Sequence, residues 1–518
     1  MLSKIPAVLG LRTSSSGTAP SAVARTLCVV TAYTTLAVTC VSEAGEATGD
    51  SRPNILMIAV DDLNYWSGHL GTNPDVKTPN IDRLAASGVS FRHAYTPAAI
   101  CNATRCALLT GMRPSTTGVY ANETDWRTVV GDGYSLPGWL RAHGYRTYGV
   151  GKLFHKTHII RESDWDEYPQ KPRYELPAGE PTSEGRTTRY SLGATRRADG
   201  NKFLEKGLEI AELAGGDDKS NDFHTAMYAA ERLRSPGGEP FFIGCGIFRP
   251  HLPWNVPRFY FEMFPESSIS TVPFFEDDLI DLPGRRNRPS PEFVRIRESD
   301  QWKRAIRGYL ASVAYADRQV GRVLDALEAS PHRDDTIVVL WGDHGWQLGE
   351  KHRFRKFALW EEACRTTFVW RVPGVTPGGK IVDGPADVQG LWRTLAELID
   401  VPAPPHVEGP SLVRVLEHPD DDRSETAVVT TQGFNNHAVR LGDYRFIRYA
   451  SGAEELYDHG DDPHEWHNLL YRAKGSAEIE DEIIAIRDRM AVDLPQLNRS
   501  PEEGRQIYGG TPSPAKSE

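Results

Sequence analysis

The segment Asn54–Val60 (N-I-L-M-I-A-V) carries no charge and stops abruptly at Asp61-Asp62. A run with no polar alternation has no solvent face, so it predicts a strand buried on both sides, as in a parallel sheet covered by helices. A second such run at residues 336–341 (T-I-V-V-L-W) ends in Gly342-Asp343-His344-Gly345. Between them, Ile306, Leu310, Val313, Val320, Val323, Leu324 and Leu327 recur at helical spacing. Thr78-Pro79 predicts a helix start, with Thr as cap and Pro in the first turn, and Gly88 its stop. Strands alternating with helices predict an α/β fold, a large mixed, mainly parallel sheet sandwiched by helices. Ligands of such sheets bind beyond the carboxyl ends of the strands, where both acidic pairs fall.

Residues 158–222 are polar and weakly periodic, and residues 266–300 are rich in Pro, Asp and Arg. Both read as long loops around a cleft. A Pro-rich stretch at 401–410 precedes strand-like pieces at 426–430 and 438–449 and a helix near 478–492. This predicts a catalytic domain at 52–400 and a smaller C-terminal α+β subdomain at 411–510 with an antiparallel sheet.

The amino end reads as an export signal spanning residues 1–44. Lys4, Arg12 and Arg25 precede an apolar stretch at 27–41, and small residues come next, placing cleavage near Ala44 or Ala47. The stretch falls short of the ~20 residues a spanning helix needs, so no stable membrane insertion is expected. A periplasmic or extracellular protein is the expectation; a lipoprotein anchored at Cys40 fits less well, because Thr39 precedes the Cys. Four cysteines then remain, Cys101, Cys106, Cys245 and Cys364, which form no dense disulfide framework and no zinc pattern. The formal charge of −11, with no basic run to offset it, argues against a nucleic-acid partner.

Adjacent carboxylates repel and call for a cation, and Asp oxygens suit calcium or magnesium better than zinc. Downstream of Asp61-Asp62 stands Cys101-Asn102-Ala103-Thr104-Arg105, followed by Leu108-Leu109-Thr110-Gly111. With N-I-L-x-x-x-x-D-D before it, this C-x-x-x-R…L-L-T-G pattern resembles the type I formylglycine-dependent sulfatases of the alkaline phosphatase superfamily. The resemblance runs from about Arg52 to about Leu470. It includes Gly151-Lys152-Leu153-Phe154-His155, R-P-H-L-P at 249–253, D-H-G-W-Q-L-G-E at 343–350 and L-Y-D-H-G-D-D-P-H-E-W-H-N-L at 456–469, which are most similar to the iduronate-type group.

The resemblance implies an alkaline-phosphatase-like fold and hydrolysis of sulfate esters, on a saccharide and in exo mode. It implies that Cys101 is oxidised to formylglycine by a maturation enzyme, and that one calcium ion is held by Asp61, Asp62, Asp343, His344 and the modified Cys101. A thiol would leave a stable adduct on attacking sulfur, whereas an aldehyde hydrate can expel the sulfuryl group with its second hydroxyl. Arg105 would hold the hydrate and neighbouring carboxylates. Lys152 and Lys356 would hold sulfate oxygens. His155 would assist breakdown of the sulfated hydrate, and His251 would bind sulfate and protonate the leaving alcohol, with Lys356 competing for that role. Trp254, Trp346 and Trp360 fit either sugar stacking or the core. The family's usual maturation motif has Pro and Ser where Ala103 and Thr104 stand here. Asn102-Ala103-Thr104 is formally a glycosylation sequon, and Cys106 reads as a buried structural thiol. Two other readings stay open: a phosphate-ester or phosphonate hydrolase of the same superfamily, and a non-catalytic sulfated-glycan-binding protein with unconverted Cys101. Oligomeric state is not readable.

Overall fold

The uncharged run forms strand β1 (Asn54–Val60), and its residues divide by parity: Leu56, Ile58 and Val60 enter one core, Ile55, Met57 and Ala59 the other. The period of two is present but both faces are apolar, so it does not show in the sequence. This computed structural model describes residues 52–169, 188–192, 195–196, 203–205, 207–238, 240–421, 423, 425–471 and 479–510. The expected export signal, with Cys28 and Cys40, lies outside them.

β1 lies inside an eight-stranded sheet. The others, in chain order, are β2 (Val89–Tyr95), β3 (Arg146–Gly151), β4 (Phe241–Ile247), β5 (Thr336–Gly342), β6 (Arg365–Thr366), β7 (Phe368–Arg371) and β8 (Lys380–Asp387). β3, β4, β1 and β5 are consecutive and parallel, and β8 runs parallel to β2. β6 pairs antiparallel with β2, and β7 with both β2 and β5. Helices α1 (Pro79–Ala86), α2 (Cys101–Thr110), α3 (Asn221–Arg234), α4 (Trp302–Glu328) and α5 (Leu391–Leu398) cover it. α1, α3 and α4 bury Leu84, Leu233 and Leu310 on one face, while α2 and α5 bury Leu109 and Leu395 on the other. The alternation of strand and helix therefore gives the expected α/β sandwich.

Three local expectations need correction. Thr78 does not cap α1; its hydroxyl donates to Asp82 Oδ1 at 3.0 Å. The cap comes from α4 instead, where Asp317 Oδ1 accepts from Ile81 N at 2.8 Å and Asn80 N at 3.1 Å. Within 266–300, Pro291–Glu298 is a helix capped by Ser290 and buried through Phe293 and Ile296, a stripe masked by the surrounding Pro and Arg. Within 158–222, Leu208–Leu213 is a strand paired with Trp254–Pro257 and Thr188–Leu192.

The tail forms an antiparallel meander of β9 (Ala427–Thr431), β10 (His437–Leu441), β11 (Tyr444–Arg448) and β12 (Glu454–Asp458). The expected strand at 438–449 is thus two strands, split at Gly442-Asp443. Helix α6 (Asp481–Ala491) closes this sheet with Met490 against Val439, Phe446 and Leu456. A buried ionic knot ties β11 to the loop after Lys356. Arg445 bonds the Glu361 carboxylate and reaches Glu465 Oε1 at 2.7 Å, and His459 Nε2 lies 3.0 Å from the same oxygen. Among the described residues no helix is long and apolar enough to cross a membrane.

Candidate active site

Strand register builds the site. β1 and β5 pair Val60 with Gly342, so the chain leaves the sheet at Asp61 and Asp343 side by side. β4 pairs Ile247 with Val60, and β3 pairs Gly151 with Gly246, so Lys152 and the 248–251 turn emerge at the same edge. Gly151 (φ 80°) and Gly246 permit that convergence. A Cβ at 246 would lie 2.2 Å from the Lys152 carbonyl carbon, and one at 151 would lie 2.0 Å from Gly246 O. Asp61 N still donates to Ile247 O at 3.1 Å, extending the strand by one residue. Asp62 then turns into the left-handed region (φ 60°), which Asp tolerates, and its amide donates to Asp343 Oδ1 at 2.9 Å.

Cys101 is the first residue of α2 and is fully buried. Its Sγ lies 3.2 Å from His344 Nε2, 3.2 Å from Lys356 Nζ and 4.0 Å from Asp62 Oδ1. The helix begins at Cys101 itself. One turn on, Arg105 spans the carboxylates, with Nε 3.0 Å from Asp343 Oδ2 and Nη2 3.2 Å from Asp61 Oδ1. Its Nη1 donates to the carbonyls of Lys152 and, at 3.2 Å, Leu153. Lys152 Nζ bonds Asp61, and Lys356 Nζ bonds Asp62. One donor atom each from Asp61, Cys101, Asp343 and His344 lies within 4.8 Å of the others, and the same holds for Asp62, Cys101 and His251.

The electrostatics come from three carboxylates and three fixed cations out of water. Burial would raise Asp61, but Lys152, His251 and Arg105 hold it well below the carboxylate range. Asp343 goes the other way, to about 7, because burial and neighbouring Asp61 both disfavour its charge. Burial would raise the Cys101 thiol, yet Lys356, Lys152 and His344 bring it well below its ordinary value. A cationic field therefore surrounds the Cys101 sulfur. His344 Nδ1 faces Gly345 O at 2.9 Å; when Nδ1 holds the proton, the Nε2 lone pair points toward the carboxylates.

Asp62 Oδ2 is buried and has no hydrogen-bond partner among the described residues. An orphaned carboxylate oxygen amid further carboxylate donors and one imidazole fits a hard divalent cation. His251 is half-buried, with Nδ1 2.5 Å from Leu252 O and its ring 4.7 Å from Phe248. His155 stands apart: among the described residues it bonds to none of the cluster, and its buried Nδ1 has no partner. The three tryptophans are core residues. Trp254 donates to Pro250 O, Trp360 to Glu455, and Trp346 packs between Trp254 and Tyr309. All three are buried, which removes them as sugar platforms. Asn102 is buried, its Nδ2 donating at 2.8 Å to Ala121 O and Thr124 O, so the folded sequon is closed to a glycan. Cys106, Cys245 and Cys364 are buried, and none forms a disulfide among the described residues.

Sequence reasoning missed the supports. Tyr309 on α4 accepts from Asn64 N and donates to Asp62 O, both at 2.9 Å. Asp222 of α3 accepts from Phe248 N at 2.7 Å and Arg249 N at 3.0 Å, fixing the turn that carries His251. Thr96 donates to Asp343 O at 2.7 Å. Tyr309 lies on an apolar stripe, so spacing marked it only as core.

A buried cysteine on a helix start, ringed by strand-end carboxylates and fixed cations on an alkaline-phosphatase-like fold, is a setting suited to hydrolysis of an anionic ester. The sulfatase family matches residues 53–401, and the N-sulphoglucosamine sulphohydrolase C-terminal family matches residues 349–492. The chain belongs to the sulfatase family and is a sulfuric ester hydrolase. It is 37% identical to a sulfatase of Formosa agariphila, over 83% of this chain and 85% of that one. It is 30% identical to the iduronate 2-sulfatase of Mus musculus, over 72% and 74%. A solved structure in complex with its substrate D-glucosamine-2-N,6-O-disulfate shares the fold, with TM-score 0.61, 21% identity and coverage of 88% and 98%.

Proposed function

We propose that this protein is an exported, calcium-dependent sulfatase that removes sulfate, in exo mode, from a saccharide, with Cys101 converted to formylglycine by a maturation enzyme. The observation that carries this is the setting of Cys101 Sγ, which stands where the formylglycine oxygens would be. It lies 3.2 Å from both Lys356 Nζ and His344 Nε2, beside the unpartnered Asp62 Oδ2. The iduronate-type relatives and the disulfated-glucosamine complex support a sugar substrate.

Asp61, Asp62, Asp343 and His344 would hold the calcium, which supplies Lewis-acid charge at the sulfate oxygens, while formylglycine supplies an oxygen nucleophile in place of sulfur. The chain's own residues do the rest. Arg105 locks Asp61 and Asp343 together and fixes the Lys152–Leu153 backbone, so the anion meets preorganised charges. Lys152 and Lys356 bind sulfate oxygens as point charges. His251 keeps Nδ1 on Leu252 O, leaving Nε2 as the atom that gives a proton to the departing alcohol. His155, with Nδ1 unpartnered and buried, is assigned to product-side proton transfer.

The test is mass spectrometry of the Cys101 peptide together with turnover of defined sulfated mono- and disaccharides. Conversion lowers the residue mass by ~18 Da, as sulfur is replaced by oxygen with loss of two hydrogens. Cys101→Ala should fold and turn nothing over; chelation should abolish activity and calcium restore it. An unchanged thiol in active protein, or recovery with zinc alone, refutes the mechanism.

A further inference from the structure

The loop that presents Lys356 is held in a strained conformation. Lys351 (φ 50°), His352 (φ 50°), Arg355 (φ 79°) and Phe357 (φ 74°) all occupy the left-handed region, which is unfavourable for a residue that bears a side chain. Such strain persists only where the surroundings over-determine it. Here the anchors are Lys351 to Asp278 at 2.6 Å, His352 Nε2 facing Phe275 O at 2.9 Å, and Arg355 to both oxygens of Glu292 at 2.8 and 3.0 Å. The result is that Lys356 points inward to Cys101 while the next residue, Phe357, is 48% exposed.

Beside this loop is a cavity of about 1080 Å³, bounded by Arg286, Arg353, Lys356, Phe357, Gln432 and Tyr449. Its lysine is neutralised by Asp62, and the neighbouring Arg355 by Glu292. Arg286 and Arg353 are different: among the described residues neither forms an ion pair. Arg353 Nη2 donates to the carbonyls of Arg286 and Arg288, each at 3.3 Å, which draws its chain against the 284–288 turn. The Arg286 guanidinium lies 3.5 Å over the Tyr449 ring. Arg353 Nε and Gln432 Oε1 are buried and have no hydrogen-bond partner among the described residues. Burial, then the nearby Arg286 charge, lowers the Arg353 guanidinium from its ordinary value. Glu292, which also lines the cavity, is held by Arg355, and Glu455 acts on Arg353 only from beyond ion-pair distance, so an anion between the two guanidiniums would give each the contact partner it lacks.

We propose that this cavity is a second anion site, which takes a carboxylate or sulfate carried by the saccharide beside the sulfate being removed, with the sugar ring laid on Phe357. The substrate is then a polyanionic saccharide, not a singly sulfated neutral sugar. This rests on the sulfated-saccharide reading above, and the experiment separates the two.

Arg353→Gln and Arg286→Gln enzymes are assayed on 4-nitrophenyl sulfate, which has one charge, and on saccharides carrying a second sulfate or a carboxylate. In parallel, binding of a heparin-derived disaccharide with a uronate and two sulfates is measured on Cys101→Ala protein with and without each arginine change. Each arginine change should raise KM for the doubly charged saccharides, and weaken disaccharide binding, by about ten-fold or more. Turnover of 4-nitrophenyl sulfate should stay within about two-fold. Equal losses on both substrate types, or unchanged disaccharide binding, overturn the second site. Arginine-dependent binding with no turnover of any sulfate ester instead overturns the sulfatase reading and leaves the anion site standing.

Discussion

Arg445→Met tests whether the ionic knot beside the loop that carries Lys356 holds the C-terminal sheet in place. The guanidinium is buried, sits 2.7 Å from Glu465 Oε1, and also bonds Glu361. At an effective dielectric near 20, a pair at 2.7 Å attracts by roughly 6 kcal/mol. Taking both ions out of water cancels much of that, yet removing one partner leaves the other charge buried and uncompensated, a loss of about 3–5 kcal/mol. The sign with pH is set by the glutamates. Burial would raise both, but Arg445 leads the charges that hold Glu361 and Glu465 below their ordinary value. Their contribution is therefore present above the unfolded pKa near 4.3 and is lost as pH falls through the lower folded values. Without Arg445 burial dominates and the carboxylates favour protonation, so the deficit should be largest at pH 8 and shrink toward pH 5. Urea unfolding of full-length protein, monitored by near-ultraviolet circular dichroism, should show a midpoint lower by about 1–1.7 M at pH 8 for a denaturant slope of about 3 kcal/mol/M. A midpoint unchanged within about 0.3 M, or a deficit that does not vary with pH, would refute the reasoning.

Lys356→Met removes a buried ammonium 3.2 Å from the nucleophile position; kcat/KM for sulfate esters should fall by about 10²–10³, the cost of losing one preorganised charge, and a loss under ten-fold would contradict its placement. In β10, burial holds His437 at about 4, neutral between Thr431 Oγ1 and Asn498 Oδ1. A lowered imidazole pKa contributes stability that is complete above about 6.5 and is lost as pH falls toward 4, a change on the order of 3 kcal/mol. The wild-type unfolding midpoint should therefore fall more steeply across that window than that of His437→Gln, and parallel curves would remove His437 as the cause.

The strand-end parts of the site legible in the sequence share one cause. A buried parallel strand can carry no charge until it leaves the sheet, so Asp61-Asp62 and Asp343-His344 stand out against uncharged runs. Lys152, and Cys101 with Arg105, are legible only through their motifs, G-K-x-x-H and C-x-x-x-R, which resemble those of the sulfatases. The supports were hidden because their side chains do two jobs at once. Tyr309 packs in the core through its ring and fixes Asp62 only through its hydroxyl. Arg445 occupies an ordinary strand position, and its partners lie at Glu361 and Glu465, distant in sequence. Strain is equally silent: nothing in the residue types of Arg355 or Phe357 announces a positive φ. The tryptophans show the converse, since aromatics near charged motifs look like sugar platforms until their burial is known.

The pairing of Val60 with Gly342 also governs how such a chain can change length over evolutionary time. One residue added within β1 would carry Asp61 a step away from Asp343 and, at the same time, exchange the residues facing the two cores. Insertions are therefore excluded from the four parallel strands and confined to the connections beyond their ends. Those connections can lengthen, shorten and diverge wherever they do not carry supports such as Asp222, Asp278 and Glu292, while the charges at the strand tips stay in place, leaving substrate preference to evolve separately from the chemistry.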